Sequence, residues 1–116
     1  MKLISQLFVG LVAIEHVYIL VLEMFFWDKP KGMKTFGTTQ EFATASKALA
    51  ANQGLYNGFL AAGLFWGLIT GNTATQIFFL ICVIIAGVFG AATANTRILF
   101  VQALPAAIAL GLVLLA

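Results

Sequence analysis

The sequence predicts an all-α fold: a polytopic membrane protein built as a four-transmembrane-helix bundle that works as an oligomer. Three observations predict it. Of 116 residues, 62% are hydrophobic and only 9% charged, which leaves too few polar side chains to cover a globule. Four apolar segments approach or exceed the roughly 20 residues that a helix needs to cross a hydrocarbon core of about 30 Å. The connectors between those segments carry turn residues and clustered lysines, as membrane loops do.

The first span is expected at about residues 3–27. Its start imitates a secretory signal, with Lys2 ahead of an apolar run. The run continues past Glu15 to Trp27 with no small-x-small cleavage site, so a retained span is expected. Residues 28–38, "DKPKGMKTFGT", read as a loop because they combine proline, glycine and lysines. "TTQE" (Thr38 to Glu41) then has the spacing of a capping box. Good helix formers follow, so one extended helix from about Thr39 to Thr70 is expected, with the second span at its end, about residues 50–70.

"GNTAT" (Gly71 to Thr75) and "ANTR" (Ala94 to Arg97) read as tight turns, which sets spans three and four at about 76–93 and 98–116 as antiparallel neighbours. Pro105 predicts a kink or local break in the fourth. Small residues recur every four positions at Gly54, Gly58 and Ala62, at Gly63, Gly67 and Gly71, and at Cys82, Ala86, Gly90 and Ala94. Such rows let membrane helices approach closely.

Lys29, Lys31, Lys34, Lys47 and Arg97 all fall in or beside the first and third connectors. The positive-inside rule therefore places those connectors in the cytoplasm and both termini outside. A net charge of +2 without a basic helical stripe excludes a nucleic-acid partner. One cysteine, Cys82, excludes an intrachain disulfide and any CxxC site.

Polar groups inside apolar segments are the functional candidates, because charge at membrane depth is costly. Glu23 and His16 are seven apart and share a helical face, whereas Glu15 points about 100° away. Glu15 is therefore a candidate interface or proton site. "ANQGLYNG" (Ala51 to Gly58) supplies Asn52, Gln53, Tyr56 and Asn57 at the same depth as Glu23, and Arg97 ends the third span on that side. The expected site is a cytoplasm-facing polar cavity for a small polar or cationic ligand, with ion- or proton-coupled transport as its use. Its ligand-binding residues are Glu23, His16, Asn52, Gln53, Tyr56, Asn57 and Arg97. Glu23 also has structural alternatives, a pair with Arg97 or a tyrosine or hydrogen bonds from the amides, and the alternative function is a structural or accessory membrane subunit in which the polar groups lock helices together. No nucleophile in a recognisable constellation points to an enzyme. No cofactor is specified, and His16 lacks the further ligands that a zinc site needs unless Glu15, Glu23 or another subunit provides them.

"AIEHVYILVLEMFFW", a charged loop with "FG", and "ALAANQGLYNGFLAAGL" together resemble the small four-span bacterial integral membrane proteins of the domain-of-unknown-function family thirteen-oh-four. That resemblance implies a four-helix fold in a bacterial cytoplasmic membrane and no particular activity. Through Lys47, Asn52 and Gln53 the chain is also similar to the membrane-associated eicosanoid and glutathione metabolism proteins. This second resemblance implies homotrimers with a cytoplasm-facing site and a membrane-embedded transferase activity.

Overall fold

Helix α1 occupies Lys2–Phe25 in the computed structural model, which describes residues Met1–Ala116. It is followed by α2 (Pro30–Phe36), α3 (Gln40–Ile69), α4 (Thr73–Thr93), a π-helical segment (Leu99–Ala103) and α5 (Leu104–Leu115). There is no strand, and the chain is all-α.

The first connector is not the loop expected over residues 28–38. Pro30 disfavours helical backbone at the residue before it, and Lys29 is extended at φ −103°, ψ 161°. That break ends α1 two residues short of Trp27, and the same proline then opens α2 from its first turn, where a missing N–H costs nothing. α2 stops at Gly37, whose φ of +69° is left-handed, with the Thr38 N–H returning to the Met33 carbonyl at 3.0 Å. The cap of α3 is Thr39, not Thr38: its Oγ1 accepts from the Phe42 N–H at 3.2 Å. The expected capping box is thus displaced by one residue, and Glu41 is exposed rather than folded back.

α3 runs 30 residues without interruption, about 45 Å at 1.5 Å per residue. It ends on Gly71 at φ +65°, with the Asn72 N–H bonded to the Gly67 carbonyl at 2.9 Å. Asn72 at once caps α4, its side chain accepting from the Thr75 N–H at 2.9 Å. The turn is therefore shorter than "GNTAT", and α4 starts at Thr73 rather than Gln76. Pro105 is met by a π turn: the Leu104 N–H reaches the Leu99 carbonyl, one residue further back than in an α-helix. The widened turn absorbs the proline that would otherwise clash with the preceding turn.

Internal packing divides the chain into two compact units, residues 1–14 with 60–116, and residues 15–59. In the first, Val9, Val12, Ala13, Leu64, Leu80, Val83, Ala106, Ala109 and Val113 form a dry core. Gly87 lies so close to Ala103 that a Cβ there would stand 2.8 Å from its backbone nitrogen. Of the expected small rows, Gly63 lies against Phe79, Gly67 against Gln76 and Gly90 against Ile98, whereas Ala62, Ala86 and Ala94 are exposed and Gly87 adds a close approach on α4 outside those rows. In the second unit, Leu22, Ala43 and Ala50 are buried beside the polar residues described below.

Helices α1 and α4 are long and apolar enough to cross a membrane, and Leu99–Leu115 is apolar but shorter. Phe78, Ile85, Phe89 and Leu114 are each more than 60% exposed, a density of bare apolar surface that water does not favour.

Candidate functional site: the Glu23 and Asn57 pair

The second unit contains a hydrogen bond between an acidic and an amide side chain from different helices. Glu23 on α1 is 8% exposed and Asn57 on α3 is 5% exposed, and the Asn57 Nδ2 donates to Glu23 Oε1 at 2.5 Å. Glycine creates the approach. A Cβ at Gly54 would stand 2.6 Å from Met24 Cγ and 3.2 Å from both Glu23 Cβ and the Leu20 carbonyl, and one at Gly58 would stand 2.6 Å from Leu20 Cδ1. Asn57 is three residues beyond Gly54, so it lies on the same helical face and is carried to the carboxylate by that contact.

The other three polar residues of "ANQGLYNG" do not join it. Asn52 and Gln53 are exposed. Tyr56 is 51% exposed, with its ring 6.0 Å from that of Phe59. Glu23 has no ion pair in the structure; its partner is a neutral amide. Arg97, the expected alternative, is exposed in the turn after α4 and belongs to the other unit. Its N–H is bonded to Asn95 Oδ1 at 2.9 Å.

His16 is completely buried, two helical turns before Glu23 on the same face of α1. Its Nδ1 is 4.0 Å from Glu15 Oε1, beyond hydrogen-bonding distance, and that Glu15 oxygen is buried with no hydrogen-bond partner. The separation of about 100° expected for adjacent residues therefore does not prevent Glu15 from bending back toward the histidine. No group of three or more His, Cys, Asp or Glu side chains is placed to hold a metal ion. A polar cavity of about 170 Å³ opens in the other unit, lined by residues that include Lys2, Ser5, Gln6, Thr73 and Gln76; the sequence had not marked these.

A second polar cluster closes the end of this unit. Trp27 Nε1 donates to Ser46 Oγ at 3.0 Å, and the Trp27 ring is 5.0 Å from that of Phe36. Lys47 Nζ is 3.2 Å from Asp28 Oδ2, and this hydrogen bond holds the Asp28 carboxyl below its ordinary value. Contacts 19 residues apart leave no periodic signal in the sequence.

The architecture is that of a small helical protein suited to a bilayer, with a buried carboxylate held by an amide. The chain belongs to the family described as "Protein of unknown function (DUF1304)", whose model matches residues 10–114. That range includes every candidate residue above. The chain is similar to "Uncharacterized protein YpaA" of Lactococcus lactis subsp. lactis (strain IL1403), with 31% identity over 96 residues, 79% of this chain and 81% of that protein. No solved structure matches it.

Proposed function

We propose that this chain is a four-span, homo-oligomeric protein of the bacterial cytoplasmic membrane, with both termini outside, that binds a small polar or cationic ligand at Glu23. Ion- or proton-coupled transport is the use we assign to that binding. α1, the later part of α3, α4 and Leu99–Leu115 are the four spans of this reading, with the lysine-rich connector in the cytoplasm. The observation that carries it is the identity of Glu23's partner. A carboxylate at membrane depth costs at least about 2.5 kcal/mol on insertion scales, and Asn57 offers a hydrogen bond but no charge. The charge is left for a proton or a bound cation to neutralise. Asn57 fixes the carboxylate, and His16, on the same face of α1, is the second proton-accepting group.

A structural reading has its own support, because the same pair joins α1 to α3 at the Gly54 contact. Glu23→Gln separates the two. The carboxamide oxygen still accepts from Asn57, so the helix contact survives while the charge is removed. Native mass spectrometry of the protein released from nanodiscs, titrated with a panel of monovalent organic ammonium ions, reads subunit number and adducts together. The binding reading expects E23Q to keep the wild-type subunit number and lose adduct affinity at least tenfold, a step of about 1.4 kcal/mol. An unchanged adduct affinity defeats the assignment of Glu23, and loss of the oligomer in E23Q favours the structural role.

A further inference from the structure

We propose that α2 and the end of α1 form a binding site for an anionic phospholipid, with Lys31 and Lys34 as the contacts to its headgroup phosphate. This rests on the membrane reading above and adds a ligand at a place separate from Glu23. Residues 29–37 hold three lysines and no acid, and Lys29, Lys31 and Lys34 are all exposed. Asp28, the adjacent acid, is already engaged by Lys47 at 3.2 Å. The remaining acid near this stretch, Glu41, is in the first turn of α3.

These lysines are held in place. Gly32 lies against the Phe26 carbonyl so closely that no Cβ fits, Phe36 packs on Trp27, and left-handed Gly37 closes the helix. The position of Lys31 beside α1 is what selects a lipid. Lys31 Nζ stands 5.8 Å from the centroid of the Tyr18 ring, and Tyr18 is seven residues, about 10 Å, before the end of α1. An ammonium group is thereby set alongside the shaft of an apolar helix, on the face where Tyr18 is 48% and Phe25 63% exposed. A cation next to bare aromatic surface matches a phosphate joined to an acyl chain. A soluble phosphorylated partner would leave Tyr18 and Phe25 uncovered.

The full chain in nanodiscs of equal phosphatidylglycerol and phosphatidylcholine tests this. After release, native mass spectrometry counts the lipids retained. The wild type is expected to keep phosphatidylglycerol in preference, and K31Q/K34Q to lose that preference by about fivefold per lysine. K31R/K34R should retain it, and K2Q should not change it. An unaltered lipid ratio in K31Q/K34Q overturns the proposal. Displacement of phosphatidylglycerol by millimolar inorganic phosphate also overturns it, since the site would then take the free ion. A chain stripped from vesicles by alkaline carbonate would instead overturn the membrane reading, whereas an embedded chain without lipid preference sinks this inference alone.

Discussion

Replacing Glu23 and Asn57 singly and together measures what their hydrogen bond contributes. The donor and acceptor are 2.5 Å apart and the two residues are 8% and 5% exposed, so water competes for neither. A hydrogen bond to a charged group contributes about 1.5–3 kcal/mol in soluble proteins, while polar contacts between membrane helices average about 0.6 and reach about 1.7 kcal/mol. The lower scale applies if the unfolded chain stays in lipid and finds other partners there. Near-complete burial places this pair at the top of it, and a coupling of about 1–1.7 kcal/mol is expected. Asn57→Ala alone should cost more, about 1–3 kcal/mol, because it leaves the buried carboxylate without its donor. Unfolding equilibria of the wild type, E23A, N57A and the double variant, measured by steric trapping in bicelles, complete the cycle. A coupling below about 0.3 kcal/mol, the level at which distant sites already add, would refute the claim that this bond joins the helices.

Two further substitutions test other parts of the fold. Gly87→Ala places a Cβ 2.8 Å from the Ala103 nitrogen and 3.0 Å from its Cα, and backbone cannot rotate away. Overpacking of about 1–3 kcal/mol, at the upper end because the obstacle is backbone, against a helix-propensity gain of about 1 kcal/mol leaves a net loss of up to about 2 kcal/mol. Gly111→Ala, with nothing within 4 Å of its Cβ, should be neutral or stabilising in the same thermal assay; equal effects of the two would contradict the close contact. For Asp28, the hydrogen bond from Lys47 lowers the folded-state pKa, so its contribution is present above the ordinary carboxylate value of about 3.9 and disappears as pH falls through the lower folded value. In a W66F background, Trp27 fluorescence should change over that acidic window, and D28N should flatten the change; an identical profile in D28N would rule the pair out as its cause.

Periodicity made the helices legible because apolar stretches of this length have few alternatives. Their ends were less so. Pro30 reads as a loop signal and acts as a helix start, and only the extended backbone at Lys29 distinguishes the two. The polar stretch from Asn52 to Asn57 shows why a candidate site was only partly visible. Spacing by four pairs Asn52 with Tyr56 and Gln53 with Asn57, yet the face that meets α1 is chosen by Gly54, where the backbones approach. Asking which polar residue shares that glycine's face would have singled out Asn57. The contacts Trp27–Ser46 and Asp28–Lys47 depend on how α2 folds back, which no periodic pattern encodes.

Charge is divided between the two units far from evenly. All four acids, the one histidine and four of the six basic residues fall in residues 15–59, leaving Lys2 and Arg97 to the rest. The core of residues 1–14 with 60–116 is valine, alanine and leucine, which associate through shape and dispersion alone. Such a core offers no charge or side-chain hydrogen bond to a polar solute, and the polar groups of that unit are those of its cavity, Lys2, Ser5, Gln6, Thr73 and Gln76 among them. The segment from Glu15 to Phe59 sets Lys31 beside Tyr18 of α1 and buries Glu23 and His16, each of these two at a cost to stability that dry packing would have avoided. Selection for stability alone would remove these groups. Their concentration in one unit is the reason to seek binding there, and to expect substitutions in the valine, alanine and leucine core of the other unit to appear as changes in stability.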